Sequence, residues 1–567
     1  MASKIAGRVG GTSPLRPAPR RRRRVVRALA VACLPLAALT WALLWRAGRL
    51  YVSSDSVAQQ SILQTWARTG HGTTYLPPDT WLLKLPAYLL VEPLPLGPDL
   101  RLMLESLALG GAGLVLTALA AHHLGAAAGP ARRWWDAALP VAWLGLLGGG
   151  LGQYLAIMPN SRNVELGLVF VVLVVTARYL RVPGPGPGAV TGVTGVTGGT
   201  GGTGGAAGVR RWPRIGLGVL AVVGFAVLWV DDPYVSYLLG GALAAACTVW
   251  FVLRRRDPRL LVVAVVTVGS LALAPALRAL LVRAGIVAVG DTTGVTVAPS
   301  MLVRHLGVLG PALATQVGLQ DRGPTVWPAH ALTVLVLLAG MVMSGYLLVV
   351  GWRTRRLALT FIGGHWVVVA LGVLANRGVY DFHAGRYLVL AVYDVAVVLG
   401  VGTALLRRRR TRLAAALTGL LVAAVAANAV SAAVDRPAPN VRVAKENAIL
   451  RTVQEHGLTK GYADFWIADL FQYRSGAAVT VPEVVCSGGQ LWFRYWLTDT
   501  SRWRVHADRT FVLWDPVDVG LQGCTQSGIE AQLGVPTQRI PAAGGSTLLV
   551  YDRDVADRIR ESTASQG

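Results

Sequence analysis

Charge is scarce in this chain. Only 15% of its 567 residues are Asp, Glu, Lys or Arg, where a soluble globular protein carries about 25%. Hydrophobic residues reach 53% and the mean hydropathy is +0.50. Together these exclude a conventional soluble fold for most of the length. Cysteine is equally sparse. There are four, and no C-x-x-C pair, which excludes a zinc ribbon or finger. No solenoid-type repeat is visible.

What is present is a succession of apolar runs of roughly 20 residues, each long enough to cross a bilayer core. They fill the first 434 positions. About eleven spans are expected, near 28–48, 102–124, 137–158, 165–181, 214–231, 234–252, 260–282, 329–351, 357–375, 387–405 and 413–434. Trp81 to Leu96 is apolar but interrupted by Pro86, Pro93 and Pro95, so it reads as interfacial or re-entrant. Arg20–Arg24 ahead of the first run resemble a signal peptide. The run is long and no small-x-small site follows it, so a retained anchor is expected.

The net charge of +25 does not mark a nucleic-acid binder. From Asp435 onward 14 basic residues face 15 acidic ones, whereas the preceding part holds 40 basic and 14 acidic. That excess lies in short clusters: Arg20–Arg24, Arg132/Arg133, Arg178 to Arg214, Arg254–Arg259, Arg353–Arg356 and Arg407–Arg412. Every cluster falls on the cytoplasmic side if the first span runs outward. This orientation places the tail outside.

The expected organisation is therefore a disordered basic N-terminus over 1–27, a membrane domain over 28–434 and an extracytoplasmic soluble domain over 435–567. Residues 183–208 are Gly/Thr/Val/Pro low complexity and read as a flexible cytoplasmic linker. The tail mixes short apolar runs (Ala478–Val485, Arg509–Trp514) with turn residues and a helical start near Arg442–Glu455, which suggests a small α/β domain. Cys33 and Cys247 lie in apolar spans as packing residues. Cys486 and Cys524 lie in the tail, where a disulfide is allowed outside the cell; the sequence leaves both states open.

With that orientation, polar residues gather on the outer face. The first loop carries Tyr51, Ser54, Asp55, Gln59, Gln60, Trp66, His71, Tyr75, Asp79 and Lys84. Later loops carry Asn160, Arg162 and Glu165, then Asp231-Asp232-Pro233-Tyr234, then Asn376, Arg377, Tyr380, Asp381, His383, Arg386 and Tyr387. Charges at a membrane boundary are costly and commonly mark functional sites. The alternative is that each is a solvated loop end or a helix cap, which Asp231, Asp232 and His383 fit well.

The layout resembles a known class. An early Asp55 in a long outer loop is followed by Thr69-Gly70-His71-Gly72, Tyr75 and Pro77-Pro78. A turn with Arg162 and Glu165 comes two spans later, and Arg386-Tyr387-Leu388 opens a late span. This is similar to the lipid-linked-sugar glycosyltransferases of the GT-C fold, which include protein O-mannosyltransferases and lipid A aminoarabinose transferases. The tail, with Tyr462-Ala-Asp-Phe-Trp466, resembles outer domains of actinobacterial members. The resemblance implies an all-α polytopic membrane bundle with a small α/β outer domain. It implies a polyprenyl-phosphate sugar as donor, an extracytoplasmic acceptor (glycan, lipid or protein) and the lipid bilayer as partners, with no nucleic acid.

By the same resemblance Asp55 is the base that takes the acceptor hydroxyl proton. Lys84, Arg162, Arg377 and Arg386 are candidates to bind the leaving phosphate. Glu165, Asp231, Asp232, His383 and Tyr387 complete the candidate substrate site. The family often has two adjacent acidic residues in the first loop; here Ser54 precedes Asp55. This favours metal-free transfer with no cofactor; a divalent metal stays an alternative, since Asp231-Asp232 could supply a second carboxylate. A membrane transporter or lipid-linked-sugar flippase is the competing reading. It would show paired repeats with polar groups at mid-membrane, and no inverted repeat is evident.

Overall fold

The computed structural model describes residues 19–46, 52, 54–70, 72–76, 83–126, 133–148, 151, 155, 163–181, 216, 222–226, 228, 230–284, 286–288, 299–320, 326–376, 387–435, 440–517, 521 and 523–559. The low-complexity stretch 183–208 lies outside these residues.

The chain is a multi-pass membrane protein. Among the described residues, eight helices are long and apolar enough to cross a membrane. The first part of the chain forms α1 (Pro19–Arg46), α2 (Ser54–Thr69), α3 (Leu85–Val91), α4 (Pro98–Ala126), α5 (Trp135–Leu146) and α6 (Asn163–Arg181). After these come α7 (Ala242–Trp250), α8 (Pro258–Arg283), α9 (Pro299–Gln316), α10 (Val326–Arg353), α11 (Leu357–Ala375), α12 (Val389–Arg409) and α13 (Thr411–Val434).

Several boundaries depart from expectation for physical reasons. Helix α1 begins at Pro19, so residues 19–27 are helical rather than disordered. Arginine is a good helix former, and an apolar span propagates its helix backward at little cost. Residues 1–18 lie outside the described part. Within the expected span 137–158, α5 ends at Leu146, where Leu147 turns to ψ 142°; further on, Leu151 and Leu155 are again helical and buried. The segment 234–252 is interrupted by a π-helical turn, Tyr237–Gly241. Helix α9 was not expected; Arg304, His305 and Pro311 dilute its apolar pattern.

The core runs through α4, α5, α6 and α12, where Leu114, Val141, Trp143, Phe170, Tyr393 and Val397 are fully buried. Helices α4 and α6 approach closely at two glycines. A Cβ on Gly113 would lie 2.0 Å from the Asn163 carbonyl, and one on Gly167 would lie 2.6 Å from the Gly113 carbonyl. This contact lays the first turn of α6, with Glu165, against the middle of α4.

The C-terminal region holds α14 (Val441–Glu455), β3 (Gly461–Asp464), α15 (Phe465–Arg474), β4 (Glu483–Ser487), β5 (Gln490–Phe493), β6 (Thr498–Asp499), β7 (Thr510–Trp514), α16 (Gln526–Leu533), β8 (Gln538–Pro541) and β9 (Thr547–Tyr551). Six strands form one sheet in the order β5-β4-β3-β7-β9-β8. Strand β3 is parallel to both β4 and β7, and the outer pairs are antiparallel. Side chains alternate between faces as a strand requires. Phe511, Leu513, Leu548 and Val550 pack with Ile449 and Val453 of α14, while Val512, Leu549 and Tyr551 pack with Ile529 and Leu533 of α16. Cys486 and Cys524 are bonded, which closes the alternative left by the sequence. Cys247 is buried.

A second, three-stranded sheet joins the two parts of the chain. Strand β1 (Thr74–Leu76) pairs in parallel with β2 (Ile286–Ala288) and antiparallel with β6, Thr74 opposite Asp499.

Candidate functional site

The stretch after α1 is a helix, and Asp55 is its second residue. The Asp55 side chain lies outside what the structure describes. One turn apart on α2 sit Gln60 and Gln64; beside them, also one turn apart, sit Ser61 and Thr65. This i, i+4 spacing makes each pair a face of the helix. Gln60 Nε2 donates to Glu105 Oε2 of α4 at 2.7 Å. Gln64 Nε2 donates to Glu92 Oε2 at 3.1 Å, and the same oxygen pairs with Arg101 Nη1 at 2.9 Å.

Lys84 caps the start of α3 and is one of four lysines in the chain. Its ammonium lies 3.1 Å from Glu165 Oε1, and both side chains are fully buried. Asp231 stands beside Glu165 and accepts from the Leu83 backbone N–H at 3.3 Å. The structure therefore brings together Lys84, Glu165 and Asp231 from three of the four loops.

Tyr88 lies one turn after Lys84 and is buried. Burial, then the carboxylates of Glu105, Glu165, Asp231 and Glu92, hold its phenol well above the ordinary range. Burial also raises Glu92, with Gln64 and Arg101 pulling the other way. Four carboxylates, two cations and one phenol thus surround a buried locus next to α2. Burying that much charge is expensive unless it is paired or put to use. The arrangement can grip hydroxyl groups, hold a cationic side chain in a fixed place and move a proton.

Other predicted residues stand elsewhere. Asp232 is a helix cap: its Oδ1 accepts from the Val235 N–H at 3.2 Å, and its carbonyl accepts from the Ser236 hydroxyl at 2.6 Å. Tyr387 packs in a separate apolar cluster with Ala312, Val373 and Leu388. Arg162, Arg377, His383 and Arg386 lie outside the described residues. Among the described residues, no group of three or more His, Cys, Asp or Glu is arranged to hold a metal ion.

Gln60 is among the outer-face polar residues of the first loop, whereas Tyr88, Glu92, Arg101 and Glu105 are not among the candidates the sequence offers. Glu105 carried a usable signal: it is a carboxylate inside an apolar span, four residues after Arg101.

No protein-family model matches the chain, nor does any curated protein. Among solved structures the chain is similar to apo ArnT from Cupriavidus metallidurans, at 12% identity and TM-score 0.49, over 95% of this chain and 99% of that one. It is also similar to the apo oligosaccharyltransferase of Archaeoglobus fulgidus, at 12% identity and TM-score 0.45, over 82% of this chain and 65% of that one. The complex of that enzyme with Zn and sulfate gives 12% identity and TM-score 0.43, over 79% and 62%. The chain spans less than two thirds of the oligosaccharyltransferase. These neighbours are membrane glycosyltransferases of the GT-C fold. Likenesses at TM-scores below 0.5 assign no role to any residue here.

Proposed function

We propose that the chain is an integral membrane glycosyltransferase that moves a sugar from a polyprenyl-phosphate carrier to an acceptor on the extracytoplasmic face. The observation that carries the reading is the buried Lys84–Glu165 pair beside Asp231 and Tyr88, in a charged cluster whose Glu105 and Glu92 bind α2, the helix that carries Asp55. In the proposed reaction an acceptor hydroxyl oxygen bonds to the anomeric carbon while the bond from that carbon to the phosphate oxygen breaks. The hydroxyl proton passes to the Asp55 carboxylate, and the polyprenyl phosphate leaves with the bond electrons. Lys84, set in place by Glu165, offsets the charge developing on the phosphate. Arg162, Arg377 and Arg386 are further phosphate ligands in this proposal, and His383 and Tyr387 line the substrate path. Asp232 acts through its helix cap, placing Asp231.

The orientation belongs to the same proposal. The arginine clusters favour a cytoplasmic N-terminus, and the Cys486–Cys524 bond fits an oxidising compartment for the tail.

Membranes from cells expressing the chain, and from cells lacking it, incubated with a radiolabelled polyprenyl-phosphate sugar test the reading. Label should move to an acceptor only where the chain is present. Equal movement in both, or label trapped as unreacted donor in both, would reject it.

A further inference from the structure

Helix α2 is held from two directions. Gln60 and Gln64 face the membrane helices through Glu105 and Glu92. The adjacent face meets the C-terminal region. There the guanidinium of Arg502, fully buried, binds α2 twice: Nη2 donates to the Ser61 hydroxyl at 2.9 Å and Nε to the Thr65 hydroxyl at 3.0 Å. Its remaining nitrogen, Nη1, donates to Asp469 Oδ1 of α15 at 2.6 Å and lies 3.7 Å from Glu483 Oε1 of β4. Gln472 of α15 donates to the Ser61 carbonyl at 3.2 Å and to the Thr65 hydroxyl. Trp66 Nε1, one residue further, donates to Asp499 Oδ2 at 2.9 Å.

The chemistry of these contacts is specific. A guanidinium is a rigid planar fork whose donors point in fixed directions. With two of them committed to hydroxyls one turn apart on α2, and the third to a carboxylate of α15, the fork fixes the rotation of α2 about its axis. Ser61 and Gln60 are neighbours on that axis, so the same rotation sets the reach of Gln60 to Glu105. Burying an arginine is costly; here its charge is offset by Asp469 and Glu483 of its own region, while two of its three nitrogens are committed to α2.

We infer that Arg502 is a positioning residue: it latches the C-terminal region onto α2 and thereby sets the rotation of the helix that carries Asp55 relative to Glu105 and Glu92. The C-terminal region is then part of the transfer site and not an appended module. The consequence for catalysis rests on the transferase reading above; the latch itself does not.

The test uses the full-length protein in lipid nanodiscs. The double variant Ser61→Ala/Thr65→Val removes both acceptors on α2 and leaves the Arg502–Asp469 pair inside the C-terminal region. Backbone hydrogen exchange over 54–69 should rise at least tenfold, while exchange over β3, β7 and β9 stays as in the parent. For transfer, kcat should fall at least tenfold with the donor KM changed less than threefold, since the helix is misaligned and not the donor contacts. Arg502→Lys, which keeps the charge for Asp469 but loses the fork, should show the same exchange and the same split. Thr65→Ser, which keeps the hydroxyl, should recover both. Parental exchange over 54–69 in both latch variants overturns the inference, whether or not transfer is observed. Raised exchange with unchanged kcat overturns the positioning role and leaves the transferase reading intact. Absence of transfer in the parent rejects that reading, and with it the catalytic role assigned to the latch.

Discussion

Lys84 Nζ and Glu165 Oε1 stand 3.1 Å apart with no solvent exposure on either side chain, although 81 positions separate them in sequence. The lysine starts a short helix and the glutamate lies in the first turn of a membrane helix. The close approach of α4 and α6 at Gly113 and Gly167 lays the turn that carries the glutamate against α4. Such a pair is costly to assemble and more costly to break.

Lys84→Met should therefore act twice. It leaves a buried carboxylate without its cation, which costs about 3–5 kcal/mol, and it removes the cation assigned to the phosphate, which costs about 10²–10³ in kcat. Lys84→Met/Glu165→Gln should regain most of the stability and none of the transfer. Thermal unfolding in detergent alongside transfer kinetics separates the two effects. Full transfer in the double variant would remove Lys84 from the mechanism.

The C-terminal region should lose stability in acid. Burial alone would raise Asp499, but hydrogen bonds from Ser501, Thr74 and Trp66 win and hold it below the ordinary range. Asp554 is likewise lowered, burial being outweighed by Lys460 and Tyr462. A carboxyl depressed in the folded state contributes stability that is complete above its unfolded value, about 3.9, and is lost as pH falls through the folded value. Unfolding midpoints should thus be flat from about pH 6 down to about pH 5 as far as these two groups are concerned, and drop below about pH 4. Asp499→Asn should blunt that drop. An unchanged acid profile in Asp499→Asn would show that its hydrogen bonds do not support the fold.

Removing the disulfide should loosen the same region. The Cys486–Cys524 bond closes a segment with a sequence separation of 38, for which chain entropy gives about 2–4 kcal/mol. Cys486→Ser/Cys524→Ser, measured by thermal unfolding with and without reductant, should lower the midpoint and abolish its sensitivity to reductant. A midpoint equal to that of the parent would place the bond outside the stabilising contacts.

Much of this architecture was legible in the sequence, where local pattern decides. The span 357–375 coincides with α11 and the helical start near Arg442–Glu455 with α14, because apolar runs and 3.6-residue periodicity need no distant partner. The run Arg509–Trp514 holds β7, a short β-branched and aromatic run bounded by turn residues. Lys84, Glu165 and Asp231 were legible as charges stranded at apolar boundaries, and their convergence follows. Helix α2 is hidden in the sequence, because polar residues on both of its faces mask its amphipathic pattern. Those residues have polar partners on both sides, and the partners lie far away in sequence: Glu105 is 45 positions from Gln60 and Arg502 is 441 positions from Ser61. Arg502 itself sits in Ser-Arg-Trp-Arg, which reads as an exposed turn until tertiary contacts bury it. Asp232 shows the converse, since its capping role was readable from Pro233 alone.

The most direct measurement is single-turnover transfer from a defined polyprenyl-phosphate sugar by purified Asp55→Asn protein in nanodiscs, with donor binding measured on the same sample. Asn keeps the size and polarity of the side chain and cannot accept the proton. The account predicts donor binding within about threefold of the parent, and transfer reduced by at least the roughly 10²–10⁴-fold attributable to a general base. Transfer at the parental rate by a folded, donor-binding Asp55→Asn protein would contradict it.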